Sequence, residues 1–217
     1  MNMFTTYIRT LLAAGTLFSS LKAATIPSAY ELLSTSRAYV AAKSPPLPVG
    51  IALCSNPDSR FICDARTGTG VPPVSVAEWT LQGDGNRDFY DVSLVDGFNL
   101  PMSITNDRGC PTADCPVDLD AICPAELGGP TDANGALLGC NSVCTANLDG
   151  NPADSANCCS GSHNTLETCP SSGVRDYNFF KSNCPNSYAY AFDEPGGTAL
   201  FTCDSGVLAD YTLTFCP

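Results

Sequence analysis

Residues 88–105, DFYDVSLVDGFNLPMSIT, are the stretch that decides the fold of this chain. Apolar and polar residues alternate over residues 89–95, and a two-residue period resumes over residues 98–104. Such alternation is typical of strands that bury one face. The Asp96-Gly97 pair between the two runs favours a tight turn. The stretch therefore predicts a β-hairpin, in which Pro101 keeps the second strand at a sheet edge or a bulge.

Three acids, Asp88, Asp91 and Asp96, lie in and around this predicted hairpin. Acids near a turn usually cap and solvate it, and spacing alone favours that interpretation. Asp91 and Asp96 are five positions apart, so their side chains would face opposite sides of an unbroken strand. Only the turn can bring both carboxyl groups to one surface.

Residues 74–81 form another predicted strand, with Glu78 on one face and Trp79 on the other. A glutamate on a sheet face is either a rim residue at a solvated strand end or a functional acid, and the pattern leaves both alternatives open. Later in the chain, aromatic residues ahead of Pro185 predict a short helix over residues 177–184. Residues 199–203 and 210–215 have the composition of closing strands.

The chain begins with the features of a secretory signal peptide, residues 1–24. Arg9 precedes the apolar run of residues 11–18, and small residues follow it. The run is shorter than the roughly 20 apolar residues that a membrane-spanning helix requires, and no other stretch comes close. We therefore predict a secreted, extracellular protein without a transmembrane segment.

The charge of the chain is strongly acidic, with 22 Asp and Glu against 10 Lys and Arg and a formal net charge of −12. A phosphate-bearing partner needs clusters of Lys and Arg, and none is present in the sequence. We therefore expect no nucleic-acid partner. A neutral or cationic partner is easier to accommodate.

Thirteen cysteines in a chain predicted to be secreted indicate a disulfide framework. Zinc binding is the alternative explanation, but the chain has one histidine and no CxxC pair. We therefore predict no metal site and no cofactor. The pairing of the cysteines cannot be deduced from their spacing.

Three motifs together resemble the thaumatin-like proteins, a family that includes the sweet-tasting thaumatins and the osmotin-type pathogenesis-related defence proteins of plants. They are PPVSVAEW at residues 72–79, the stretch at 88–105, and YNFFKSNCPNSYAYAFDEP at 177–195. The resemblance covers residues 54–217. It implies an all-β fold, an antiparallel thaumatin-like β-sandwich with a disulfide-rich, loop-rich second domain, and a monomer.

The resemblance also divides the chain. The expected parts are a signal peptide at 1–24, an atypical segment at 25–53, a sandwich core at 54–109 and 199–217, and a disulfide-rich part at 110–198. Within the atypical segment, residues 30–40 suggest a short amphipathic helix rather than a sandwich strand. A missing first strand would leave one edge of the main sheet uncovered.

The disulfide pairs are likewise implied by the resemblance. They are Cys54–Cys63, Cys110–Cys203, Cys115–Cys184, Cys123–Cys140, Cys144–Cys158 and Cys159–Cys169. Cys216 is left unpaired, because its family partner lies in a first strand that residues 25–53 do not contain. Either the first strands have been lost, or the beginning is a misassembled translation, or Cys216 bonds to another chain.

Many members of the family have an acidic cleft between the sandwich and the disulfide-rich domain, lined by one Arg, one Glu and three Asp. The resemblance assigns these acids to Glu78, Asp91, Asp96 and Asp193, whereas the Arg has no counterpart here.

The function implied by the resemblance is binding to β-1,3-glucan or a similar polysaccharide through this cleft. A weak endo-β-1,3-glucanase is also implied, with Glu78 as proton donor and one of the three Asp as base. The alternative is a non-catalytic antifungal, defence or effector protein that acts on a membrane or a cell-surface protein.

Overall fold

The computed structural model describes residues 72–217 and the backbone of one upstream strand, Ala38–Ala42. The predicted signal peptide, the Cys54–Cys63 pair and the rest of the atypical segment lie outside the described residues. No helix in the described part of the chain is both long and apolar enough to cross a membrane.

Two sheets form the framework of the fold, as the resemblance implies. In chain order, the strands are β1 (Ala38–Ala42), β2 (Val76–Gly83), β3 (Arg87–Ser93), β4 (Met102–Asn106), β5 (Ala113–Cys115), β6 (Phe201–Asp204) and β7 (Tyr211–Phe215). One sheet has the order β2-β3-β6 and is antiparallel throughout. The other has the order β1-β7-β4-β5, in which only the β1–β7 pairing is parallel.

The core lies between the two sheets, because alternate residues of their strands face each other. β3 buries Tyr90 and Val92, while β7 buries Tyr211 and Leu213. The rings of Tyr90 and Tyr211 lie 5.1 Å apart between centroids, and Trp79 meets Tyr211 edge-on at 6.5 Å. This aromatic contact joins the sheets and adds to the free energy gained by burying the rings.

The hairpin predicted for residues 88–105 is wrong, although its turn and both strands exist. The amide of Gly97 donates to the carbonyl of Leu94 over 2.9 Å, and Gly97 adopts a φ of +100°. However, β3 and β4 belong to different sheets. The chain between them crosses the sandwich, and the backbone of Phe98 pairs with Cys140 in both directions at 2.8 Å. Cys140 thus takes the hydrogen bonds that a hairpin partner would have taken.

The position expected for Pro101 is also wrong. Pro101 lies just before β4, and β4 is an interior strand between β7 and β5. Proline is tolerated there because the missing amide precedes the ladder of strand hydrogen bonds. The true hairpin joins β2 to β3 across residues 84–86, another Asp-Gly turn that lies directly upstream.

The amphipathic helix suggested around Tyr39 and Val40 is not present at those positions, because both residues lie in strand β1. β1 pairs in parallel with β7 over five positions, from Ala38 opposite Tyr211 to Ala42 opposite Phe215. The sheet edge that was expected to be uncovered is therefore occupied, since pairing with β7 satisfies backbone groups that a short helix would have left open.

The segment between β5 and β6 consists mainly of turns and short 3-10 helices, with one α-helix, α1 (Tyr177–Asn183), close to its predicted bounds. Five disulfides stabilise the described part of the chain. They are Cys110–Cys203, Cys115–Cys184, Cys123–Cys140, Cys144–Cys158 and Cys159–Cys169, the same pairs that the resemblance implies. Cys216 is a free, half-buried thiol.

Candidate functional site

The centre of the candidate site is a pair of carboxyl groups on neighbouring strands. Glu78 of β2 lies directly opposite Asp91 of β3 in the antiparallel register. Residues in such a pair share one face of the sheet, with Cβ atoms roughly 5 Å apart. Their neighbours in register, Trp79 and Tyr90, face the core on the other side. Glu78 therefore lies on a sheet face, as the strand predicted for residues 74–81 implied.

The segment that follows α1 runs beside this pair, along the edge of β3. The amide of Leu94 donates to the carbonyl of Tyr188, and the amide of Tyr188 donates to the carbonyl of Val92, both over 2.9 Å. These bonds extend β3 with a short parallel bridge between Ser93 and Tyr188, and Tyr188 interacts electrostatically with Asp91. Asp91 is only 8% exposed, although it lies on the outer face of its sheet.

Burial has a large effect on Asp91. Loss of solvent raises the pKa of its carboxyl to about 8, and the charges of Glu78 and Glu194 contribute in the same direction. The Oδ1 atom of Asp91 is fully enclosed and has no hydrogen-bond partner. An ionised carboxylate in such a position is costly, because neither water nor a donor solvates it.

Glu78 and Asp96 complete the group of acids at this surface. Glu78 is half-buried, and its pKa is raised by desolvation and then by the charge of Asp96. Asp96 lies on the turn after β3, and partial desolvation raises its pKa as well. The turn at Asp96-Gly97 thus brings Asp96 into electrostatic contact with Glu78, although Asp91 and Asp96 are an odd number of positions apart.

Asp193 has a different role from the other three predicted acids. It is 3% exposed, and both of its oxygens have protein partners. Oδ1 accepts from the Tyr177 hydroxyl at 2.8 Å, while Oδ2 accepts from Lys181 Nζ at 2.9 Å and from the Ala189 amide at 3.0 Å. Asp193 therefore links α1 to the segment that follows it. Its role is to position that segment beside the site.

Two further residues belong to the site and were missed in the sequence. Glu194 is exposed at the start of a 3-10 helix, and its charge acts on Asp91. The Tyr188 hydroxyl donates a hydrogen bond to Glu194, and burial followed by the charge of Glu194 raises the pKa of that hydroxyl. Both residues lie within the third motif, and Glu194 directly follows Asp193, which the resemblance had assigned to the site. We define the acidic site as Glu78, Asp91, Asp96, Glu194 and Tyr188.

The chemistry available at the acidic site is that of hydrogen-bond acceptance and proton transfer. Carboxylates accept from hydroxyl groups, and a protonated carboxyl group donates. None of the ion pairs formed by the described residues involves Glu78 or Asp91, so their charges are not neutralised within residues 72–217. The same residues contain no cluster of three or more His, Cys, Asp and Glu side chains suited to holding a metal ion.

Comparison with known proteins identifies the family. The model of the Thaumatin family matches residues 43–217, which is most of the chain. This chain belongs to the thaumatin family. The match begins before Cys54, the residue at which the resemblance of the motifs was expected to start.

Relatives in the thaumatin family come from several plants. Pathogenesis-related thaumatin-like protein 3.5 of Cryptomeria japonica is 43% identical over 171 residues, which cover 77% of this chain and 64% of that protein. A protein of Prunus avium named glucan endo-1,3-beta-glucosidase is 40% identical over 178 residues, 76% of this chain and 68% of its own. Thaumatin-like protein 1b of Malus domestica is 37% identical over 219 residues, 94% and 98% of the two chains.

Proposed function

We propose that this chain is a secreted, pathogenesis-related member of the thaumatin family that binds β-1,3-glucan or a similar neutral polysaccharide at the acidic site. The observation that carries the proposal is the cross-strand pair of Glu78 and Asp91 on a sheet face, with Tyr188 and Glu194 beside it. The name of the Prunus avium relative, glucan endo-1,3-beta-glucosidase, supports the same substrate class.

A neutral polysaccharide suits this surface better than a charged one. The formal net charge of −12 repels anionic polymers, and no ion pair formed within residues 72–217 neutralises Glu78 or Asp91. Sugar hydroxyl groups can donate to carboxylate oxygens without bringing a charge of their own. The ring of Tyr188 adds a half-buried aromatic surface next to Glu194.

Weak hydrolysis is a second activity that we propose to test at the same site. Glycosidases that retain configuration use two carboxyl groups about 5 Å apart, and inverting enzymes hold them further apart to admit water. Positions directly opposite on antiparallel strands favour the shorter separation. The alternative class is a non-catalytic defence protein with a membrane or cell-surface protein as its partner. It is supported by the pathogenesis-related names of relatives and by the absence, among residues 72–217, of an ion pair to Asp91.

The deciding experiment uses insoluble β-1,3-glucan for binding and laminarin for hydrolysis. We expect wild type to be retained on glucan and Glu78→Gln to bind roughly 10-fold more weakly or worse, since a charged hydrogen bond contributes about 1.5–3 kcal/mol. Glu167→Gln is the matched control, because Glu167 is an exposed glutamate in the disulfide-rich segment, remote from Glu78 in sequence.

Three results are informative. Reducing ends that appear with wild type and vanish with Glu78→Gln would establish hydrolysis. Retention without product would establish binding alone. If wild type is not retained, or if Glu167→Gln weakens retention as much as Glu78→Gln does, the glucan proposal is abandoned in favour of a protein or membrane partner.

A further inference from the structure

The acids of the site differ in how well they tolerate a negative charge. Asp91 is 8% exposed, and its Oδ1 atom is enclosed without a donor. Glu78 is half-buried, while Asp96 and Glu194 are exposed. A charge is least costly where water can solvate it, so the site should place its negative charges on the outer acids and a proton on the inner one.

Within residues 72–217, the groups that act on Asp91 are acids and a phenol. Glu78 faces it from β2, Glu194 from the 3-10 helix Glu194–Gly196, and Tyr188 from the segment that bridges to β3. The charge of Asp96 raises the pKa of Glu78. Lys181 is bound to Asp193 Oδ2 and to the carbonyl of Ser187.

We propose that Asp91 is the proton-bearing acid of the acidic site at neutral pH and that Glu78 is its ionised partner, an assignment whose consequence for glucan rests on the proposed function. It reverses the roles that the resemblance implied, in which Glu78 donates the proton and an aspartate acts as base. The geometry favours the reversal, because the more enclosed carboxyl group belongs to β3 and the more accessible one to β2. The raised pKa of Asp91, about 8, agrees with it.

The proton on Asp91 then sets an upper pH limit for the site. While Glu78 is ionised and Asp91 holds its proton, the pair carries one negative charge, and above about pH 8 it carries two charges on directly opposite strand positions. Like charges so placed repel each other, and a neutral sugar cannot compensate for them. Because the pKa of an acid is raised here, the favourable state is the low-pH state and is lost as the pH rises.

The test is a carboxyl carbon NMR titration of the full mature protein labelled at aspartate, with Asp91→Asn to assign the signal. We expect the signal that is missing in Asp91→Asn to titrate near pH 8 in wild type. Glu78→Gln should shift its midpoint downward, because one neighbouring negative charge is removed. Glu167→Gln, the exposed control, should leave the midpoint unchanged. A midpoint for Asp91 below pH 5 would overturn the assignment.

Retention on glucan supplies the second measurement. We expect wild type to lose about 10-fold in affinity between pH 6 and pH 9, a change of roughly 1.4 kcal/mol, which is close to the full loss for a group that titrates near pH 8. The retention of Asp91→Asn, which is neutral at every pH, should change little between the two pH values, whatever its absolute level. A high midpoint with no retention at any pH would end the glucan proposal and leave the protonation of Asp91 standing. If wild type is retained on glucan but the midpoint of Asp91 lies below pH 5, the glucan proposal stands and the assignment of the proton to Asp91 is overturned.

Discussion

We expect the position of the acidic site to depend on the positive charge of Lys181. Its Nζ atom donates to Asp193 Oδ2 at 2.9 Å and to the Ser187 carbonyl at 2.8 Å, and the two charged side chains are 16% and 3% exposed. Lys181→Met keeps most of the apolar stem but leaves a buried carboxylate without its cation. Losing one partner of a buried pair costs about 3–5 kcal/mol of unfolding free energy, because the remaining charge is uncompensated.

The assay is urea unfolding at pH 7 with the disulfides intact, followed through the fluorescence of Trp79, the only tryptophan in the chain. Lys181→Met combined with Asp193→Asn should recover part of the loss, since the second change removes the stranded charge. The matched control is Arg175→Met. The side chain of Arg175 is 55% exposed and pairs at 3.6 Å with Glu126 and with Asp176. Ion pairs of so exposed an arginine contribute less than about 1 kcal/mol.

The reasoning about Lys181 is refuted if Lys181→Met destabilises the protein no more than Arg175→Met does. In that case Asp193 does not depend on a buried counter-charge, and its exclusion from the acidic site would have to be reconsidered. A double variant that is less stable than Lys181→Met alone would contradict the argument in another way. It would mean that the carboxylate of Asp193 is needed for the hydrogen bonds to Tyr177 and Ala189 rather than for the charge.

Two further predictions concern the framework that supports the site. Gly97→Ala should destabilise the fold by about 2–3 kcal/mol in urea unfolding, because a Cβ there would lie 2.7 Å from both the Cys140 carbonyl and Pro73 Cβ at a φ of +100°. Gly135→Ala, at a φ of +85° with open space around it, should cost only about 1 kcal/mol; equal losses would mean that the crossing between the sheets has room to adjust. Replacing Cys110 and Cys203 by Ala should cost up to about 4.7 kcal/mol, because that bridge joins residues 93 positions apart, whereas replacing Cys159 and Cys169, 10 apart, should cost about 2.8 kcal/mol. Calorimetric melting that ranks the two pairs in the opposite order would contradict the chain-entropy argument.

Much of the local structure was predictable from the sequence, because side-chain periodicity reports directly on which face of a strand is buried. The alternation in residues 89–95 located strand β3, the composition of residues 210–215 located strand β7, and the aromatic residues before Pro185 located α1. Strand pairing was not predictable in the same way. Two Asp-Gly turns occur within fifteen residues of each other in the sequence. The residues around them do not indicate that the first closes a hairpin and that the second leads from one sheet to the other.

The sequence by itself determined which residue types are present for the site and, through motifs that resemble a known family, which four acids to consider. Only the tertiary structure decided their roles, because the ionisation and availability of a carboxyl group depend on its neighbours in space. Asp193 and Glu194 are adjacent in the chain, yet one is enclosed by Lys181 and Tyr177 and the other is exposed beside Asp91. Asp91 carries a strongly raised pKa because it is buried and lies near Glu78 and Glu194, and neither of these neighbours belongs to its own stretch of sequence.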